Sequence, residues 1–196
     1  MRTLIPIVEE DEAAGEVARA YEQYRRQFGR SSVPGILKCF ATHPALLQQM
    51  LALAPALLFS DGHLARKQKE IIATYVSSLN DCAYCLDSHA SFLRECGGSN
   101  GLLTSLAQRN PTSNELDEKD RILLSFVHKV SIASQAITHH DIQAMKDAGW
   151  DHDSIAEAIH ITSLFALFNR VANAFGLASQ NLLGFDLQSS SRKNTP

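Results

Sequence analysis

The sequence predicts an all-α fold: one helical domain over residues 1–187 and a short tail, residues 188–196, predicted to be disordered. Three observations carry this. Apolar residues recur at three- and four-residue spacing in almost every long segment. Few stretches alternate with period two. The breaks between segments are Gly, Pro, Ser, Asp and Asn, which stop and cap helices.

Taken in order, Glu12–Phe28 mixes apolar and charged residues at helical spacing and ends at Gly29. Arg30–Gly35 is a turn-like link, Ile36–Thr42 a short helix, and Pro44 suits the first turn of the next. That next helix, Ala45–Phe59, carries Pro55 near its end, which predicts a kink. After the Ser60–His63 break, Arg66–Leu79 starts polar and turns apolar. Asn80-Asp81 reads as a break and N-cap, so Cys82 opens a helix that runs to Cys96 and stops at Gly97-Gly98. Gly101–Gln108 is a short helix, Asn110–Asn114 a loop, and Asp117–Ala133 an amphipathic helix. Thr138 and Asp141 resemble a capping box before Ile142–Ala148. Asp151 caps the longest helix, Asp153–Leu183, with Gly176 an interruption. This helix is apolar on most sides, which requires burial all round and predicts that another subunit covers part of it in a homo-oligomer; a central core helix is the alternative.

The chain has 196 residues, 20% of them charged, with a net charge of −3 and scattered basic residues, so nucleic acid is not an expected partner. The N-terminus turns acidic after a very short apolar run and lacks the apolar core of a secretory signal. No later run of ~18 uncharged apolar residues suggests a membrane span. A cytoplasmic location is the resulting expectation, and in that compartment a close cysteine pair points to catalysis, redox exchange or metal binding before a structural bridge.

The pair is Cys82-Ala-Tyr-Cys85, followed by His89, in a chain with four cysteines. On one helix Cys82, Cys85 and His89 fall at i, i+3 and i+7, on a single face. The first-turn N–H groups favour a thiolate near Cys82, and His89 lies one turn from Cys85, placed to share its proton. A second thiol three residues away can resolve a sulfenic acid into a disulfide. Glu70, on the preceding helix, either reaches His89 or Cys85 to orient the imidazole and relay a proton, or lies on the surface beside Lys67 and Lys69. Zinc is the poorer reading: structural zinc wants four ligands, and Cys96 stands ~16 Å along the helix from Cys85. His139-His140 is explained by helix capping.

Glu70-x11-Cys82-x2-Cys85-x3-His89 resembles the signature of the AhpD-like alkylhydroperoxidases, within the carboxymuconolactone decarboxylase superfamily. Val33–Leu47, Glu70–His89, Ala148–Ile159 and Leu167–Gly176 together resemble its peroxidase-related branch. The resemblance implies an oligomeric multi-helix bundle that reduces hydroperoxides. It implies Cys85 as peroxidatic nucleophile, Cys82 as resolving thiol, and Glu70 with His89 as proton relay. No bound cofactor is implied beyond a redox-active Cys82–Cys85 disulfide, and the electron donor is an external dithiol or lipoyl-type reductant. Lactone decarboxylation is disfavoured, because the decarboxylases of the superfamily lack the cysteine pair. The alternatives are a disulfide oxidoreductase that is not a peroxidase, or a redox-sensing or zinc-holding helical oligomer. Better-known members carry a second His just before the nucleophile; here Tyr84 stands there, and a phenol titrating near pH 10 does not replace a base that works near neutrality.

Around the motif, Asn80 reads as a cap, and Ser78 as structural before site-shaping. His160 reads as a core histidine, and Arg170, if buried, needs a partner. Cys39 and Cys96 read as small core hydrophobes, and Trp150 as packing.

Overall fold

The computed structural model describes residues 3–183. Among these residues there are nine α-helices and no strand: α1 Gly15–Phe28, α2 Gly35–Lys38, α3 Pro44–Leu57, α4 Arg66–Leu79, α5 Ala83–Glu95, α6 Asn100–Ala107, α7 Glu118–Ala133, α8 His139–Asp147 and α9 His152–Phe175. A single 3₁₀ turn, Ser134–Ala136, follows α7. The tail expected at 188–196 lies outside the described residues.

Local chemistry sets most boundaries. Ser99, Asp117 and Asp151 each accept a backbone N–H from three residues on, at 3.0, 2.7 and 2.7 Å, satisfying first-turn donors of α6, α7 and α9. Thr138 and Asp141 form a full capping box at α8. Pro44 stands at the start of α3, and Pro55, within its last turn, has no N–H to donate back to Leu51.

Several expected limits shift. The short helix at 36–42 is only Gly35–Lys38. The longest helix stops at Phe175 rather than running to Leu183, because Gly176 adopts a left-handed conformation (φ 74) that ends it. A side chain there would also meet Leu4 at 2.8 Å.

The helix at the centre of the chain is α4. Every residue from Lys69 to Ser78 is buried, and α5, α6, α7 and α9 all pack on it. Its burial is hidden in the sequence because it carries Lys69, Glu70, Thr74, Ser77 and Ser78 rather than an unbroken apolar run. By contrast α9 keeps a solvent stripe of His160, Ser163, Leu167 and Arg170 at helical spacing. So His160 is a surface histidine, and Arg170 donates to the Ala166 carbonyl at 2.7 Å from an exposed position. By length and composition α9 is apolar enough to cross a membrane, but 56% of its most apolar window is buried inside the fold.

α4 and α5 form an antiparallel hairpin joined by three residues. Asn80 ends α4, Asp81 takes a left-handed conformation (φ 51), and Cys82 is extended. Cys82 is therefore the N-cap of α5 rather than its first helical residue. Its N–H donates to the Ser77 carbonyl at 3.0 Å, and its own carbonyl accepts from Leu86 at 2.9 Å.

A buried ion pair locks the polar start of α4 to α9. Lys69 donates to Glu157 Oε1 at 2.7 Å and to the Leu57 carbonyl at 2.9 Å. Glu157 Oε2 accepts from the Leu64 N–H at 2.6 Å, so the pair also holds the loop between α3 and α4. Gly62 lies against this pair: a Cβ there would come 2.5 Å from Glu157 Oε1. Removing one partner of such a pair leaves an uncompensated buried charge. Glu157→Gln is therefore expected to lower the unfolding free energy by about 3–5 kcal/mol, as measured by urea denaturation. A loss below about 1 kcal/mol would place the pair among surface-type contacts.

Candidate active site

The hairpin brings the motif residues together. Glu70, in the first turns of α4, is fully buried, and His89, in the second half of α5, stands opposite it. His89 Nδ1 lies 2.7 Å from Glu70 Oε2. A carboxylate accepts, so Nδ1 carries the proton, and Nε2 is left as the nitrogen able to take one. Glu70 is thus not a surface carboxylate. Its other oxygen, Oε1, accepts from the Arg66 guanidinium, with Nε at 2.8 Å. Arg66 is itself positioned: its N–H donates to Asp61 at 2.7 Å, and its guanidinium lies over the Phe59 ring, 4.7 Å from the centroid. The imidazole is boxed edge-on by Phe165 (centroids 4.5 Å apart) and Phe92 (5.4 Å). Arg66 is the member of this network that sequence reasoning passed over, although its i, i+4 spacing to Glu70 was visible.

The thiols form a separate buried cluster with Tyr84 and Ala172, closed by Ile36 and Leu177. All four cysteines are free. Cys82 is lowered from its ordinary range, first because the Cys85 thiol donates to it, against the cost of burial. Asn169 and the N–H groups of Tyr84 and Cys85 add to the lowering. These N–H groups act through the open end of α5 without forming a close side-chain cap. Cys85 is raised, first by its hydrogen bond to Cys82 and then by burial. The pair thus places its first negative charge on Cys82.

Tyr84 does not act as a spare base. Burial pushes its phenol up, and its Oη accepts the Ile36 N–H at 3.3 Å, pinning α2 over the thiols. The Ser78 hydroxyl lies 2.8 Å from both the Tyr75 and Leu106 carbonyls, tying α4 to α6. Asn80 ends α4, and its side chain reaches α9: Nδ2 donates to Asn169 Oδ1 at 3.0 Å. Asn169 then donates to Ser77 Oγ at 3.1 Å, and its amide favours the ionised form of both thiols. Sequence reading assigned Asn169 no role. An amide inside an apolar run was the available signal. Among the described residues no group of three or more His, Cys, Asp or Glu side chains is arranged to hold a metal ion.

The sequence profile of the carboxymuconolactone decarboxylase family matches residues 44–107, which hold α3 to α6 and the whole motif. An alkyl hydroperoxide reductase of Mycobacterium tuberculosis is 30% identical over 103 residues, 53% of this chain and 29% of that protein. The chain thus spans under a third of that relative's length. Two solved structures align almost end to end. One is a peroxidase-related protein from Silicibacter sp., 28% identical, with TM-score 0.78 and 89% and 90% of the two chains covered. The other is an alkylhydroperoxidase AhpD core protein from Ralstonia eutropha JMP134, 24% identical, with TM-score 0.81 and coverage of 92% and 94%. Residues 44–107 thus match the carboxymuconolactone decarboxylase family, and the chain is similar in sequence to an alkyl hydroperoxide reductase and in fold to a peroxidase-related protein and an AhpD core protein.

Three thiols of nearly equal burial make a direct test of the charge distribution: Cys82 is 1% exposed, Cys85 4% and Cys39 3%. Burial raises Cys39 to about 12. As pH rises from acid, Cys82 ionises first, and only the thiolate is alkylated. Limiting iodoacetamide near neutral pH should therefore label Cys82 about tenfold or more faster than Cys85 or Cys39, as read by peptide mass mapping. Equal labelling of the three would contradict the assignment.

Proposed function

We propose that the chain reduces hydroperoxides by cycling Cys82 and Cys85 between dithiol and disulfide. The observation that carries this is the buried Glu70–His89 contact at 2.7 Å, which leaves Nε2 as a base one helical turn from Cys85. An orienting carboxylate behind an imidazole is the arrangement proton transfer to and from a thiol requires.

In the proposed cycle Cys85 attacks the terminal peroxide oxygen as its proton passes to His89 Nε2. An S–O bond forms, the O–O bond breaks, and the leaving alkoxide takes the proton from His89 to depart as alcohol. Cys85 is now a sulfenic acid. Cys82, the thiol that ionises first, attacks that sulfur; an S–S bond forms, the S–O bond breaks, and hydroxide leaves as water with one further proton. The net change is two thiols and a hydroperoxide to a disulfide, an alcohol and water. An external dithiol or lipoyl-type donor then supplies two electrons to restore the pair. The lowered Cys82 suits a resolving thiolate that is ready when the sulfenic acid forms.

The same lowering favours one second reading, in which Cys82 attacks first and Cys85 resolves. Single-turnover sulfenic acid trapping separates the two. Cys82→Ser should accumulate a trappable sulfenic acid at Cys85, while Cys85→Ser stays inert. The reverse pattern selects the second reading, and no peroxide consumption by the reduced wild type rejects both.

Glu70→Gln keeps shape but removes the orienting charge, and is expected to slow peroxide consumption by about a hundredfold or more. An unchanged rate would remove Glu70 from the relay. The chain is further proposed to assemble as a homo-oligomer, supported by the exposed apolar side chains Leu167, Leu46 and Leu53 on α9 and α3. Light scattering should give a mass that is a whole multiple of the chain, and a monomer mass would overturn it.

A further inference from the structure

Asn169 has no exposed surface, and its carboxamide is held so that it cannot turn. The Asn80 Nδ2 group donates to its oxygen at 3.0 Å, which sets the Nδ2 end toward Ser77 Oγ at 3.1 Å, on the α9 face that carries Ala172 into the thiol cluster three residues on. Two further contacts brace this array. Asn173 Nδ2 donates to the Asn80 carbonyl at 3.1 Å, and the Ser77 carbonyl accepts the Cys82 N–H at 3.0 Å. Ser77 therefore grips Asn169 through its hydroxyl and Cys82 through its carbonyl. Amide and thiols are set against each other by a single residue of α4.

What surrounds the sulfurs makes this amide matter. The main influences on them are each other, burial, Cys39, nearby backbone N–H groups and Asn169, while the His89 imidazole stands one helical turn from Cys85. The cationic Arg66 is committed to Glu70. At Cys82, a turn further from that imidazole, negative charge is held by neutral donors: the Cys85 thiol, the open N–H groups of α5 and the Asn169 amide.

We propose that Asn169 is a further catalytic residue of the dithiol, its oriented N–H donating to whichever sulfur carries negative charge during thiol–disulfide exchange. When an external thiolate reduces the Cys82–Cys85 disulfide, a new S–S bond forms to one sulfur. The Cys82–Cys85 bond breaks, and its electron pair stays on the other sulfur. Asn169 receives that leaving thiolate. A second donor thiolate then displaces the first sulfur, yielding the donor's disulfide and the reduced pair. The disulfide carries no charge for the amide to hold, so the contact favours the reduced form. The proposal rests on the dithiol cycle above, but it concerns exchange rather than peroxide chemistry.

The test is Asn169→Leu, which removes the donor without adding charge, with Asn80→Ala as a second variant that only frees the amide to turn. Two readings are made on each protein: the pH profile of Cys82 alkylation, and the dithiol–disulfide equilibrium against glutathione. For Asn169→Leu, alkylation at neutral pH should slow about tenfold, and the equilibrium should move about tenfold toward the disulfide. Asn80→Ala should shift both in the same direction by less. Unchanged profiles in folded Asn169→Leu overturn the proposal. If that variant does not fold, unchanged profiles in Asn80→Ala overturn it instead. Peroxide consumption is scored separately: a shifted profile without peroxidase activity removes the proposed function and leaves the role of Asn169 standing.

Discussion

A carboxylate with no exposed surface sits at the centre of this molecule, and the arrangement around it follows from the need to balance its charge. Glu70 is on the helix that α5, α6, α7 and α9 pack against, so water cannot solvate it. It has two partners instead. Arg66, one turn back on α4, covers one oxygen, and His89 on α5 covers the other. The first contact is local to a helix. The second exists only because α4 and α5 fold back as a tight hairpin, and it turns a buried charge into a device that fixes which imidazole nitrogen can move a proton.

The three-residue link that makes this hairpin also places the thiols. Asp81 in a left-handed conformation turns the chain so that Cys82 becomes the N-cap of α5. Its sulfur then sits at the open end of a helix, where N–H groups favour negative charge, while Cys85 one turn on is left protonated and donating. Charge is thus divided across the site. Arg66 and the Nδ1 edge of His89 serve Glu70, and neutral donors serve Cys82. Tyr84, between the two cysteines, spends its hydroxyl on the Ile36 backbone and acts as a fastener for α2.

Helix positions were legible because they depend on near neighbours in the chain. Capping residues such as Asp117, Thr138 and Asp151, and the stop at Gly29, act within one turn. Burial was less legible. α9 is apolar enough to suggest complete enclosure, yet it keeps a stripe to solvent; α4 is rich in polar residues, yet it is enclosed. The difference lies in pairing: Lys69, Glu70, Ser77 and Ser78 are buried because Glu157, His89, Asn169 and the Leu106 carbonyl are there to receive them.

What the sequence determined by itself was the helical class, the grouping of Cys82, Cys85 and His89 on one helix, and the spacing to Glu70 that resembles a known family. These rest on periodicity and short-range geometry, which a linear chain records. Only the tertiary structure decided that Glu70 is buried against His89 rather than exposed beside Lys67. It also decided that Asn169, 84 positions beyond Cys85 in the sequence, acts on both thiols. Each depends on which faces of separate helices meet, and so on the packing of α5 and α9 against α4, which no local pattern encodes.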